Sequence, residues 1–253
     1  MGRGDKPKFS GDSAEKQLME VALTSPRIQK MRYYPVFLDI KNRPCLVVGG
    51  GLVAERKALG LLAAGALVTI VSTRTTKTLG ELAKKGRLKH HRERFKPGSL
   101  KGFFLAIAAT DSSAVNTAVW TEAEALGLPV NVVDDPAHCS FIMPSVVDRG
   151  ALTVAISTSG KSPLLARRLR EELEKIIGTE YETLVEILGA VRKKLLKTGL
   201  SRDKKESIIK DLVASPLPGL IRAGNTRGIN EALRDRLGKG YALSRLGIKI
   251  KER

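Results

Sequence analysis

A glycine-rich turn between a buried strand and a helix constrains the fold of this chain more than any other part of its sequence. Residues 44–48 (PCLVV) form a short, continuous apolar run, which is typical of a strand covered on both faces. Gly49-x-Gly51-x-x-Ala54 follows at once, and a helical pattern then continues as far as Gly65. Strand, GxGxxA turn and helix together match the dinucleotide-binding fingerprint, in which a pyrophosphate lies on the helix N-terminus. The alternative is a glycine-rich turn in another kind of α/β domain.

Strands and helices continue to alternate through the first half of the chain. The sequence predicts strands at 67–71, 88–92, 103–108 and 129–133, and helices at 77–85 and 113–125. This alternation favours a parallel, doubly wound sheet, that is, an α/β fold of the Rossmann-like class.

The pattern changes after Asp135. Residues 141–147 and 152–157 are predicted to be two strands of a hairpin, joined by a turn at 148–150. Ser162-Pro163 reads as the N-cap and first residue of a helix that continues over 164–177. From Thr179 onward the sequence indicates basic helices.

These patterns predict four segments. They are a disordered polar tail at 1–30, a Rossmann-like NAD-binding domain at 31–143, a small α+β dimerisation segment at 144–178 and a helical C-terminal domain at 179–253. Two strands and one helix cannot bury their apolar faces within 144–178 alone, so we expect this segment to form a homodimer interface. Met31 is a second candidate for the start of the chain.

The charge balance narrows the class of partner. Lys and Arg number 44 against 26 Asp and Glu, a formal net charge of +18, which attracts polyanions. The excess is spread along the chain and forms no dense basic tail with interleaved aromatic residues, so nucleic acid is not the partner that we expect.

The sequence also bears on location. Cys45 and Cys139 lie far apart and fit neither a disulfide framework nor a metal-binding pair. No apolar stretch reaches the length of a membrane helix, and residues 1–30 lack the hydrophobic block of a signal peptide. We therefore expect a cytoplasmic protein without a membrane partner.

Several motifs in one order carry a resemblance to a known family. They are FLDIKNRPCLVVGGGLVAERKA, LAIAATD, VNVVDDP, FIMPSVVDRG and LTVAISTSGKSPLLARRLREELE. From about residue 34 to residue 174 the chain resembles the siroheme synthase N-terminal domain family, which comprises precorrin-2 dehydrogenases, many of them also sirohydrochlorin ferrochelatases. The resemblance implies NAD-dependent oxidation of precorrin-2 to sirohydrochlorin in siroheme biosynthesis, with Fe²⁺ as a further substrate if chelation occurs, and a homodimer. A basic surface suits a substrate with many carboxylate side chains.

The resemblance also implies a catalytic carboxylate. Asp134 follows the predicted strand 129–133 at its carboxyl end, where ligands bind in doubly wound sheets. The family's aspartate at this place acts as the general base. An Asx turn or helix cap is the alternative interpretation. His138, with a carboxylate nearby, is a candidate for handling a proton or Fe²⁺, or else a polar surface residue. His90 and His91, on the predicted edge strand, are expected to be solvated.

Cofactor contacts follow from the fingerprint and from the family. Beside Gly49 and Gly51, the family places NAD against residues after the glycine turn, at the end of the second strand and near the nicotinamide, here Leu52, Val53, Thr73, Arg74, Ala109 and Thr110. The second strand ends Val71-Ser72-Thr73-Arg74, without the acidic residue that usually binds the ribose. The choice between NAD and NADP therefore stays open at the level of the residues.

A hydroxyl-rich loop completes the candidate site. Ser157, Thr158, Ser159, Gly160, Lys161 and Ser162 precede a helix, where backbone amides bind anions well. One interpretation is capture of substrate carboxylates, and the other is a capped helix start. Whether Thr158 or Ser159 is phosphorylated stays open, and the sequence shows no dedicated metal spacing.

Two other functions fit parts of the sequence. One is a tetrapyrrole chelatase that keeps the fold without dehydrogenase activity. The other is a regulatory module in which the glycine loop senses NAD and the basic C-terminal helices bind nucleic acid or a protein partner.

Overall fold

The computed structural model describes residues 32–250, so the predicted tail at 1–30 and the alternative start at Met31 lie outside the described residues. The chain passes from one compact unit to a second between Ile142 and Met143. Among the described residues, no helix is both long enough and apolar enough to cross a bilayer.

The first unit is built on a five-stranded parallel sheet with the order β3-β2-β1-β4-β5. Its strands are β1 (Pro44–Val48), β2 (Leu67–Val71), β3 (Lys89–His91), β4 (Leu105–Ala108) and β5 (Val130–Val132), and its helices are α1 (Leu52–Ala63), α2 (Lys77–Lys84) and α3 (Ser113–Leu126). This order confirms the predicted Rossmann-like sheet. It also places the switch in strand order between β1 and β4.

The central strand, β1, contributes side chains to an apolar cluster on each face of the sheet. Alternate residues of a strand point to opposite faces. Cys45 and Val47 pack into an apolar cluster with α1 and α2, whereas Leu46 and Val48 pack into a second cluster with α3. Helices on both faces therefore account for the continuous apolar sequence of β1.

The second unit begins with an antiparallel pair, β6 (Ser145–Arg149) and β7 (Leu152–Ile156), followed by α4 (Pro163–Ile176). The remaining helices are α5 (Glu180–Leu195), α6 (Arg202–Val213), α7 (Leu217–Arg222), α8 (Thr226–Leu237) and α9 (Leu243–Leu246). They enclose a separate apolar core that includes Ile187, Leu212 and Leu233. The predicted helical character after Thr179 is thus confirmed.

The predicted position of the hairpin turn, at 148–150, was wrong. The predicted strand 141–147 is shifted, because the ladder includes Asp148 and Arg149, which pair with Thr153 and Leu152. The turn is therefore the two residues Gly150 and Ala151, with Gly150 at φ 66°. Glycine takes this conformation without the penalty that a side chain brings.

Candidate functional site

The first glycine of the turn is required by its backbone and by its neighbours. Gly49 has φ 126°, and its N–H donates to the carbonyl of Val71 at 3.0 Å. A Cβ atom at this position would lie 2.1 Å from the carbonyl oxygen of Ala109. The loops after β1 and β4 therefore touch through main-chain atoms at the switch point, where doubly wound sheets bind their ligands.

Position 50 also requires glycine because of its neighbours, although the fingerprint does not specify a glycine there. A Cβ atom here would lie 1.9 Å from the carbonyl oxygen of Arg74. The carbonyl of Gly50 also accepts a hydrogen bond from the N–H of Thr76 at 2.9 Å. The glycine turn is thus fixed against the segment that follows β2.

Gly51 differs from both. A Cβ atom on Gly51 would meet no atom of the described chain within 4 Å, and its φ of −80° suits any residue. It is the N-cap of α1 and, having no side chain, makes no capping bond to the first amides of the helix. Leu52, which follows, is 78% exposed. Open space at a bare helix N-terminus fits the pyrophosphate of a dinucleotide.

The segment that follows β4 lies against the glycine turn. Ala109 touches Gly49, and Thr110 is held by Asn116. The Thr110 hydroxyl donates to Asn116 Oδ1 at 2.7 Å, and Asn116 Nδ2 donates to the Thr110 carbonyl at 3.0 Å. Sequence reasoning missed Asn116, whose position one turn into α3 is the signal that could have found it.

Thr73 and Arg74 are exposed at the end of β2, as the cofactor interpretation requires. Behind them, the expectation that His90 is solvated was wrong. His90 is half-buried, and its Nε2 lies 3.0 Å from the Ser72 carbonyl oxygen and 3.1 Å from the Ser72 hydroxyl. His91 is exposed as expected.

Asp134 lies just beyond β5 in a left-handed turn. Its φ is 61° and its side chain is exposed. The N–H of Val133 donates to the Ala108 carbonyl at 2.9 Å, so the chain stays paired with β4 up to the residue before Asp134. The carboxylate therefore stands at the carboxyl edge of the same sheet as the glycine loop.

The thiol of Cys139 makes hydrogen bonds with the backbone on both sides of the turn at Asp134. Cys139 Sγ accepts a hydrogen bond from the Val132 N–H at 3.2 Å. It also lies 3.2 Å from the carbonyl oxygens of Val132 and of Asp135, to either of which its S–H can donate. Burial raises the pKa of the Cys139 thiol, so it is a structural group in its neutral form.

Two cations that the sequence analysis did not single out lie near this turn. Arg32 donates to the carbonyl of Pro136 at 2.7 Å. Lys57, on α1, interacts electrostatically with Asp134 and with Cys139, and burial together with the neighbouring Arg56 lowers its pKa. The i, i+4 spacing from Val53 was the available signal, because it places Lys57 on the same face of the helix.

Asp135 is engaged by His138. Nδ1 of His138 donates to Asp135 Oδ2 at 2.6 Å, and this bond holds the pKa of Asp135 below its usual value. The His138 ring also packs against Trp120, with ring centroids 4.2 Å apart. Within residues 32–250, no group of three or more His, Cys, Asp or Glu side chains is placed to hold a metal ion. A proton or Fe²⁺ role for His138 stays a prediction.

The hydroxyl-rich loop lies in the second unit. Ser162 caps α4 by accepting from the Leu165 N–H at 3.3 Å, and Pro163 is the first residue of that helix, which confirms the capped start. Thr158 Oγ1 accepts from the Ser162 N–H and Ser157 Oγ from the Ser159 N–H, each at 3.0 Å. Ser159 is left-handed at φ 53°, and Gly160 and Lys161 are exposed.

Comparison with known proteins agrees with this architecture. Residues 36–145 match a family described as "Putative NAD(P)-binding", and residues 149–176 match the family of the sirohaem biosynthesis protein central domain. The chain is 44% identical to siroheme synthase 2 of Aeromonas salmonicida over 213 residues, 84% of this chain and 44% of that protein. It is 40% identical to the siroheme synthase of Photobacterium profundum over 203 residues, 80% of this chain and 43% of that protein.

The chain thus spans less than half the length of these curated relatives. Among solved structures it resembles SirC, a precorrin-2 dehydrogenase, with a TM-score of 0.68 and 28% sequence identity. That match covers 81% of this chain and 98% of the other.

Proposed function

Residues 36–176 belong to the siroheme synthase family, and from this premise we propose that the chain oxidises precorrin-2 to sirohydrochlorin with NAD as the hydride acceptor. One observation supports the proposal most strongly. An exposed carboxylate, that of Asp134, stands at the carboxyl edge of a sheet whose switch point is lined by a dinucleotide-type glycine turn. This arrangement suits removal of a hydride and a proton from one substrate.

The chemistry divides between the cofactor and the chain. NAD, when bound, would supply the hydride acceptor. Precorrin-2 would then lose two electrons and one proton as the hydride, and a second proton to a base of the chain. Asp134 is the base that we propose for the second proton. The cations Lys57 and Arg32, which lie near the turn, can bind substrate carboxylates.

We propose a substrate-binding role also for the loop at 157–162, which lies in the second unit. Ser157, Thr158 and Ser162 use their oxygen atoms to accept bonds from backbone amides, so each hydroxyl keeps its hydrogen for an acceptor such as a carboxylate. Lys161 is exposed and adds a positive charge. We assign the loop to the capture of substrate carboxylates, with the helix cap as the scaffold that holds it.

A homodimer is part of the proposal because the second unit leaves apolar surface uncovered. Helix α4 exposes Leu164, Leu165, Leu169 and Ile176, and the outer face of the β6–β7 pair exposes Val146. A single two-stranded hairpin has too little packing to be stable by itself in water. A second copy of the same segment is the partner that we propose for this surface.

Leu164→Glu should therefore weaken dimerisation by roughly a hundredfold, since two buried leucines, one from each copy, are lost. Sedimentation of the parent and the variant measures this change. Leu196→Glu is the matched control, because Leu196 is 67% exposed and lies at the C-terminal end of another helix, α5. A parent that sediments as a monomer, or a Leu164→Glu variant that dimerises like the parent, contradicts the proposal.

We also propose a cytoplasmic location, because Cys45 and Cys139 are both free thiols, as in proteins of a reducing compartment. Chelation of Fe²⁺ would be a second activity of the same site. Asp134 could then accept pyrrole protons, and His138 keeps its Nε2 for a proton or for the ion, since its Nδ1 is used by Asp135.

One assay separates these functions. With precorrin-2 and NAD, the purified protein should produce NADH, seen as its near-ultraviolet absorbance, and sirohydrochlorin in equal amounts. Adding Fe²⁺ to sirohydrochlorin tests chelation separately, through the visible spectrum of siroheme. Siroheme formation without NADH formation would favour the chelatase alternative. Binding of NAD without either reaction would favour the regulatory module.

A further inference from the structure

Asp134 occupies a turn position that usually carries glycine. The N–H of Asp135 donates to the Val132 carbonyl at 3.3 Å, so residues 132–135 form a β-turn in which Asp134 is the third residue. Its φ is 61°, and the third residue of a turn with positive φ is usually glycine or asparagine. Another residue keeps this conformation where its neighbours hold it there. The structure should therefore contain a group that fixes Asp134.

Lys57 is a cation on the inner face of helix α1. The buried residues of this helix are Ala54, Ala58 and Leu61. Lys57 belongs to the same stripe, because residues three and four apart lie on one face of a helix. It is half-buried, whereas Arg56, the residue before it, is exposed. The Lys57 side chain therefore leaves the helix on the side that meets the core.

The loop that carries Asp134 packs against the same core. The apolar cluster to which α1 contributes is also contacted by Val133 and Phe141, which flank Asp134 along the chain. Lys57 and Asp134 accordingly interact electrostatically. A cation on this face of α1 is thus placed to attract the carboxylate at the third position of the turn.

We propose that Lys57 is a positioning residue: its ammonium binds the Asp134 carboxylate and keeps the turn at 132–135 in its left-handed form. The carboxylate is thereby held at the carboxyl edge of the sheet, where the proposed reaction needs a base. In its effect on catalysis the inference rests on the proposed function, whereas its effect on the order of the turn does not. The competing role, in which Lys57 binds a carboxylate of the substrate, is another outcome of the test.

Hydrogen exchange of the full chain, followed by mass spectrometry, tests the positioning without any turnover. Lys57→Met keeps an unbranched apolar side chain and removes the charge. The N–H of His138 donates to the Asp135 carbonyl at 3.2 Å, and that of Ser140 to the Val130 carbonyl at 3.0 Å. A peptide that covers the turn and these bonds should exchange about fivefold faster in Lys57→Met than in the parent, because the turn opens more often. Peptides from β1 and β2 should keep the parent's rates.

Arg56→Met is the matched control, since it removes the same charge from the adjacent residue of the same helix, which is exposed. It should leave the exchange of the turn at the parent's rate. Lys57→Arg keeps a cation at the inner face and should restore most of the protection that Lys57→Met loses.

Kinetics with precorrin-2 and NAD⁺ test the consequence for the reaction. Lys57→Met should lower kcat about tenfold, because the base is less often in place, and KM should carry the smaller part of the loss. In the Asp134→Asn background the same substitution should cause little further loss, since Lys57 acts through that carboxylate. Arg56→Met should keep the parent's kcat.

The outcomes separate the two proposals. Faster exchange confined to the turn in Lys57→Met, in a chain that forms no NADH, supports the positioning and overturns the proposed function. Unchanged exchange, equal acceleration in Arg56→Met or faster exchange throughout the first unit overturns the inference, whether or not the parent is active. A rise in KM alone, additive with Asp134→Asn, also overturns it and assigns Lys57 to the substrate.

Discussion

Replacing Asp134 by asparagine should lower the rate of NADH formation from precorrin-2 by about a hundred- to ten-thousandfold, the usual contribution of a positioned general base. Asparagine keeps the size of the side chain and tolerates the left-handed backbone, φ 61°, that Asp134 adopts. It loses only the group that takes the proton. The fold and the affinity for NAD⁺ should therefore stay unchanged. The more drastic Asp134→Ala should be equally inactive.

Single-turnover kinetics with calorimetry of NAD⁺ binding measures the two effects separately. Asp135→Asn is the matched control, because it removes the neighbouring carboxylate, which is already bonded to His138 at 2.6 Å. It should slow the reaction far less than Asp134→Asn does. An active Asp134→Asn variant, or equal losses in the two variants, would refute the assignment of the base to Asp134.

The second prediction with a large effect compares alanine substitutions at Gly49 and at Gly51. Gly49→Ala should destabilise the protein by more than about 3 kcal/mol, because its Cβ would lie 2.1 Å from a backbone carbonyl at a φ of 126°. Gly51→Ala should cost less than about 1 kcal/mol, since its Cβ meets nothing within 4 Å and only the helix cap changes. Yet the added methyl group occupies the space that we assign to the pyrophosphate.

We therefore expect Gly51→Ala to unfold at nearly the parent's denaturant concentration while its dissociation constant for NAD⁺ rises at least tenfold. Gly49→Ala should unfold much earlier. Chemical denaturation measures the first property and calorimetry the second. Normal NAD⁺ binding by Gly51→Ala would show that the pyrophosphate lies elsewhere, and a stable Gly49→Ala would show that the contact with Ala109 can relax.

The fold was largely predictable because its signals are local. Buried parallel strands have continuous apolar sequences, and helix ends are marked by residues such as Gly65, at φ 79°, and Ser162. The position of the hairpin turn was not predictable from the polar triplet at 148–150. Arg149 belongs to the ladder, and its guanidinium donates to the Ile177 carbonyl at 2.8 Å, a partner 28 residues away.

The position of a candidate residue in the fold was predictable where it directly follows a strand, as Asp134 does, or lies in the glycine turn, as Gly51 does. The position of a residue was not predictable where its side chain reaches the candidate site from another helix or strand. Lys57 comes from a helix face, and Asn116 enters by bonding to Thr110. His90 belongs to an edge strand, yet it is half-buried because its ring turns back onto Ser72. Such contacts depend on tertiary packing, which a single sequence does not display.

The backbone at Asp134 has a further consequence, for the balance between folding and catalysis. A left-handed residue other than glycine costs about 1 kcal/mol or somewhat more, and a turn whose only task was to reverse the chain would be best made by glycine. The chain thus gives up some folding stability at one exposed position, and that position carries a carboxylate. With Asp134 as the base that we propose, this is a local trade-off between stability and activity.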